Sequence, residues 1–130
     1  MKKVNLNDTE EIKHLNGTLQ MLLTPSNGGS NNMIMGISKV YPKEIIEKHV
    51  HDYSDECFFV LQGIGKIVSD KKSIFFKKDD CVYIPKGTKH KIYNNTDEIL
   101  TVLFCSSPLA PTKEQGLSLI HISEPTRPLY

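Results

Sequence analysis

The sequence predicts an all-β protein, an antiparallel sandwich or barrel. About nine short runs rich in β-branched and aromatic residues recur at a spacing of roughly 8–12 residues. Gly, Pro, Asn and Asp punctuate the gaps between them. No apolar periodicity sustains a helix of about three turns.

The elements follow in order. Residues 1–16 are polar; Asp8 to Glu11 fits one capped helical turn, and an extended arm fits equally well. Asn16-Gly17 signals a turn, and Thr18 to Thr24 reads as the first strand. A loop rich in Gly, Ser and Asn leads to a strand over Met33 to Val40. Glu44 to His51 is extended, and Glu56 to Gln62 is the strongest strand, with Phe58, Phe59, Val60 and Leu61 in a row. Gly63 and Gly65 bracket a bend. Lys66 to Ser69 and Ser73 to Phe76 form a hairpin. Cys81 to Ile84, His90 to Asn94 and Ile99 to Cys105 complete the set.

Composition excludes several function classes. The chain has 130 residues, enough for one domain with its own core. Sixteen Lys and Arg against fifteen Asp and Glu leave a net charge of +1, so no basic footprint for nucleic acid or anionic membrane exists. No apolar run approaches the roughly 18 residues that span a bilayer. The N-terminus lacks the apolar core of a secretory signal. Cys57, Cys81 and Cys105 are odd in number and lack CxxC spacing, which fits a reduced, cytoplasmic protein. The excess of Lys, Asn and Ile, with Arg127 as the one arginine, fits an AT-rich bacterial genome.

Chemistry concentrates in His49-Val50-His51. Residues i and i+2 of a strand share a face, so two imidazoles can converge on one ion. Glu56 follows after a loop, and His90 sits on a later strand. Three imidazoles and one carboxylate suit a single divalent transition metal: Fe, Mn, Ni, Zn, Co or Cu.

Two stretches carry a family resemblance. His49-Val50-His51, four residues, Glu56, six residues and Gly63 resemble the first cupin motif. Pro85-Lys86-Gly87-Thr88-Lys89-His90-Lys91-Ile92-Tyr93-Asn94 is similar to the second, P-x-G-x-x-H-x-x-x-N. Each family motif also has a leading Gly, and here those places hold Lys43 and Asp79, both in expected turns. The resemblance implies an antiparallel jelly-roll barrel with the metal inside, His49, His51, Glu56 and His90 as ligands, and a homodimer.

Strand parity maps the lining. With Glu56 inward, Phe58, Val60 and Gln62 follow; with His90 inward, Ile92 and Asn94 follow. Phe58, Val60, Gln62 and Ile92 are thus the expected pocket-lining residues. No second acid or base is evident beside the ligands, and the catalytic residues stay unassigned. Dimethylsulfoniopropionate lyases of this fold carry a Tyr two residues after the Glu; Phe58 stands there, against that activity.

The expected function is a metal-dependent enzyme acting on a small, oxygen-chelating metabolite, by dioxygenase, isomerase, decarboxylase or lyase chemistry. The alternative is a non-catalytic module that binds or senses a metal or small molecule. The expected organisation is an N-terminal arm and first strand (1–32), a barrel (33–108) and a tail (109–130). Within the tail, residues 117–127 resemble a translated DNA-sequencing adapter of the transposon-based kind. They are read as non-native, pointing to a metagenomic origin, and are excluded from fold reasoning.

Overall fold

The structure is a computed structural model and describes residues 1–27, 29–70 and 72–109. The adapter-like segment lies outside the described residues. Among the described residues, ten strands run in chain order: β1 (Ile12–His14), β2 (Gly17–Leu23), β3 (Ile34–Val40), β4 (Ile45–His49), β5 (Asp55–Gln62), β6 (Ile64–Ser69), β7 (Ser73–Lys77), β8 (Cys81–Ile84), β9 (His90–Tyr93) and β10 (Leu100–Ser107). They form a six-stranded sheet in the order β1-β2-β3-β10-β5-β8 and a four-stranded sheet in the order β4-β9-β6-β7. Every pairing is antiparallel. The two sheets make the expected jelly roll. Among the described residues no helix is long and apolar enough to cross a membrane.

Alternation builds the core. Phe58 and Val60 of β5, Val102 and Phe104 of β10, and Ile34 and Val40 of β3 point inward from one sheet. Ile67, Phe76 and Ile92 meet them from the other. Phe58 and Phe76 stack edge to face, their centroids 5.1 Å apart. Each such side chain contributes roughly 1.5–3 kcal/mol by leaving water.

The N-terminal region is more ordered than its sequence suggests. The helical turn is a 3-10 turn over Leu6–Asp8, capped by Asn5, and not the Asp8 to Glu11 turn expected. A side-chain oxygen of Asn5 accepts from the Asn7 N–H, which places the start three residues earlier. Residues Ile12–His14 form an edge strand that the sequence did not announce. Leu15 and Asn16, both with positive φ (53° and 71°), make a two-residue turn into β2.

The bend after β5 carries the chain from one sheet to the other. Gly63 has φ 94°, and a Cβ there would lie 2.7 Å from the Ile99 carbonyl oxygen. Gly65 lies inside β6, and a Cβ would lie 2.5 Å from the Phe76 ring. Gly63 therefore makes the bend, while Gly65 admits an aromatic ring to the core.

Lys43 and Asp79 stand where the related motifs have glycine, and both are left-handed, with φ of 68° and 77°. Left-handed backbone costs a residue with a Cβ roughly 1–2 kcal/mol. Asp79 is exposed. Asp79→Gly is expected to raise stability by about 0.5 kcal/mol, the relief exceeding the added freedom of the unfolded chain. A urea midpoint that falls contradicts this; Asp79→Val is the control and should destabilise.

Candidate metal centre

His49 ends β4, Glu56 is the second residue of β5 and His90 opens β9, so three strand ends bring them together. His49 and His90 are register partners across β4 and β9. His51 lies two residues beyond the end of β4. Its carbonyl accepts from the Gly87 N–H at 2.8 Å, and the Lys86 N–H donates to Asp55 at 2.9 Å. The first bond lashes the loop after β4 to the loop before β9, and the second ties that loop to the start of β5. His51 thus converges with His49 through loop anchoring, and strand periodicity alone does not place it.

The four side chains offer donor atoms that all lie within 4.8 Å of one another, a set that could hold a metal ion. His51, Glu56 and His90 are buried, and His49 is largely so. The rings crowd: centroids are 4.2 Å apart for His49 and His90, and 5.1 Å for His49 and His51. His51 Nε2 lies 3.0 Å from Glu56 Oε1. Nδ1 of His49 lies 2.7 Å from the Glu47 carbonyl oxygen, and Nδ1 of His90 lies 2.8 Å from that of Thr88. If each Nδ1 donates to its carbonyl, each Nε2 is a free lone pair, the tautomer a metal requires. Nε2 of His90 is buried with no hydrogen-bond partner among the described residues. An orphaned nitrogen beside two imidazoles and a carboxylate fits a divalent transition ion.

Burial, helped by the neighbouring His90 and opposed by the hydrogen bond to the Glu47 carbonyl, lowers the His49 pKa to about 4. Burial lowers that of His90 as well. For Glu56, burial raises the pKa, but the hydrogen bond and charge of His51 and the charges of His90 and His49 outweigh it, and the net shift is downward. At neutral pH His49 and His90 are therefore uncharged beside the Glu56 carboxylate, as a metal ion requires.

The same shifts predict acid lability of the metal-free protein. Between pH 6.5 and about 4 the unfolded chain protonates His49 while the folded chain does not, so unfolding takes up protons. Stability is expected to fall as pH drops through that window, by up to about 3 kcal/mol from His49 alone. Protonation of Glu56 extends the loss below its ordinary pKa. Urea midpoints of the chelator-treated protein check this, and a flat profile from pH 7 to 4 contradicts it.

Inside the barrel, His49 and Glu56 line one small cavity together with Phe58, Ile92, Leu19 and Phe104. Of the four parity-based lining residues, Phe58 and Ile92 line this cavity. Val60 is fully buried in the core and is not part of this cavity. Gln62 is exposed. A register shift between Thr101 and Val102 of β10 pairs Thr101 with Gln62 and Val102 with Val60, so the alternation of β5 loses phase before Gln62.

The sequence reading missed polar residues near the cluster. His14 of β1 is buried and lines the cavity with His49 and Glu56, as does Ser38 of β3. Ser106 of β10 pairs with Glu56, and its buried Oγ has no hydrogen-bond partner among the described residues. The turn signal at Asn16-Gly17 was the one available clue to a hairpin that turns His14 inward.

Comparison with known proteins agrees with this geometry. Residues 36–106 match the model of the family described as "Cupin domain". The chain is similar to polyketide synthase CurC of Streptomyces cyaneus, 32% identical over 113 residues, covering 87% of this chain and 73% of that protein. It is also similar to tetracenomycin polyketide synthase protein TcmJ of Streptomyces glaucescens, 26% identical, covering 88% of this chain and 76% of that one. Among solved structures, a predicted oxalate decarboxylase from Thermotoga maritima superposes with a TM-score of 0.69 at 22% identity, covering 82% of this chain and 98% of that one. At that identity the likeness speaks to the fold.

Proposed function

Because the chain belongs to the cupin domain family, we propose that it is a metal-dependent enzyme acting on a small molecule that chelates through two oxygens. The observation that carries this reading is the convergence of His49, His51, Glu56 and His90, with the His90 Nε2 buried and lacking a partner. These four residues would hold the ion. Once bound, a divalent ion supplies Lewis acidity to a carbonyl or enolate oxygen.

The chain's own residues do the rest. The carbonyls of Glu47 and Thr88 fix the rings of His49 and His90. Phe58, Ile92 and Phe104 keep water from the inner side of the cluster. His14 and Ser38 supply polar contacts within an apolar cavity. Two relatives carry polyketide synthase in their names. A poly-β-ketone is a run of β-dicarbonyl units, and each enolises to a bidentate oxygen chelate. That chemistry matches the donor set, and β-dicarbonyl compounds are the substrate class assigned here.

The test is reconstitution of metal-free protein with Fe, Mn, Co, Ni or Zn in turn, followed by anaerobic and aerobic incubation with β-diketones. Turnover that needs one of these ions and vanishes in Glu56→Gln is expected. Oxygen consumption would assign a dioxygenase; anaerobic turnover would assign isomerase, decarboxylase or lyase chemistry. Diketones recovered unchanged under every condition contradict the reading.

A cytoplasmic homodimer completes the proposal. Phe59, Leu61 and Tyr83 are 39%, 40% and 62% exposed on β5 and β8. These apolar residues support association of two copies through this sheet. Sedimentation at the monomer mass over a wide concentration range contradicts it.

A further inference from the structure

A second, larger cavity touches the same cluster from the opposite flank. It lies at the seam where β7, the edge of the four-stranded sheet, meets β8, the edge of the six-stranded sheet. These two strands do not pair with each other. The seam is therefore closed by side chains and leaves room. Its walls are largely Ile67, Ile74, Val82, Ile84 and Pro85, with Lys72 and His90 also in its lining.

Size decides what each cavity can take. The cavity inside the barrel leaves about 40 Å³, and the seam cavity about 290 Å³. The first accommodates only the small end of a ligand. The second approaches the roughly 300–1,000 Å³ typical of small-molecule sites. Its aliphatic walls suit an apolar group, and His90 in its lining sets it against the cluster.

We propose that the seam between β7 and β8 receives the apolar body of the ligand, an aromatic ring or branched chain, while its chelating oxygens lie at the His–Glu cluster. The proposal rests on the reading of the cluster as a metal site for β-dicarbonyl compounds and narrows that class to members with a bulky apolar end. Specificity then resides in Ile74, Val82 and Ile84, away from the chelating groups.

Ile74 is the residue to change, because it is 38% exposed on an edge strand and tolerates a larger side chain better than the fully enclosed Val82. The experiment uses Co(II)-loaded protein, whose visible absorption reports ligand exchange at the ion. The probes are acetylacetone and 1-phenylbutane-1,3-dione, which share a chelating head and differ by one ring. Ile74→Trp, which fills the seam, is expected to weaken the phenyl diketone at least tenfold and acetylacetone less than twofold. Ile74→Ala, which enlarges the seam and does not crowd the core, should keep cobalt and acetylacetone binding and shift only the phenyl diketone. If both variants bind both probes as wild type does, or lose both equally, the assignment of the seam is overturned while the metal reading stands. If wild type takes up no cobalt, or acetylacetone leaves its spectrum unchanged, the metal reading fails and the seam assignment falls with it.

Discussion

A divalent metal at about a thousand times its Kd is expected to raise the unfolding free energy of the wild-type protein by about 4 kcal/mol and to leave His90→Ala nearly unchanged. The gain arises because the ion binds the folded chain, where four donors converge within 4.8 Å, and finds no such set in the unfolded chain. His90 is the informative position. Its ring is 1% exposed, its Nδ1 lies beside the Thr88 carbonyl, and its Nε2 has no partner among the described residues. Alanine removes one donor and leaves the remaining imidazoles with Glu56 in place. Urea unfolding with and without metal, for both proteins, reads the effect. Equal stabilisation of wild type and His90→Ala would mean that the ion binds elsewhere.

Asn94→Ala is expected to destabilise the protein by about 3 kcal/mol without touching the donor set. Asn94 is fully buried. Its Nδ2 donates to the carbonyls of Val40 at 2.8 Å and Glu98 at 2.7 Å. Its Oδ1 accepts from the Thr96 N–H at 2.9 Å and the Thr96 hydroxyl at 2.7 Å. One side chain thereby fixes the turn between β9 and β10 and ties it to the end of β3 in the other sheet. Truncation strands buried polar groups, each costing roughly 1–3 kcal/mol. A lower urea midpoint with an unchanged slope, together with retained metal uptake below that midpoint, is the expected result. A variant as stable as wild type would show that water replaces the amide. The final Asn of the second motif thus serves the fold, while the His four residues before it joins the cluster of donors.

Much of this was legible in the sequence because runs of β-forming residues bounded by turn signals mark nine of the described strands. Glu56 to Gln62 and Cys81 to Ile84 were bounded to within one residue. The cluster of His49, His51, Glu56 and His90 was legible through two motifs whose spacing brings these four side chains together. Illegible features had local causes. Strand β1 has three residues, Ile12, Lys13 and His14, too few to show alternation, so His14 went unnoticed. Gln62 is exposed because Leu61 is an extra, unpaired residue in β5 between the Val60–Val102 and Gln62–Thr101 pairs, and a bulge inside an unbroken apolar run leaves no mark in the sequence. The seam cavity depends on which sheet edges remain unpaired, a property of topology that no single segment encodes.

Glycine usage teaches a related lesson. Lys43 and Asp79 adopt the left-handed backbone that the related motifs assign to glycine. The turn geometry is therefore imposed by the strands on either side, and the local residue tolerates it. Recognition of such a motif rests on its donors more safely than on its turns.

The most direct measurement is elemental analysis of the purified protein beside His49→Ala and His90→Ala. Near-stoichiometric transition metal in wild type, lost in both variants while their strand content is retained, is the predicted result. Wild type that holds little metal and gains none from Fe, Mn, Co, Ni or Zn would contradict it, and the cluster would then be a buried group of neutral histidines around a carboxylate.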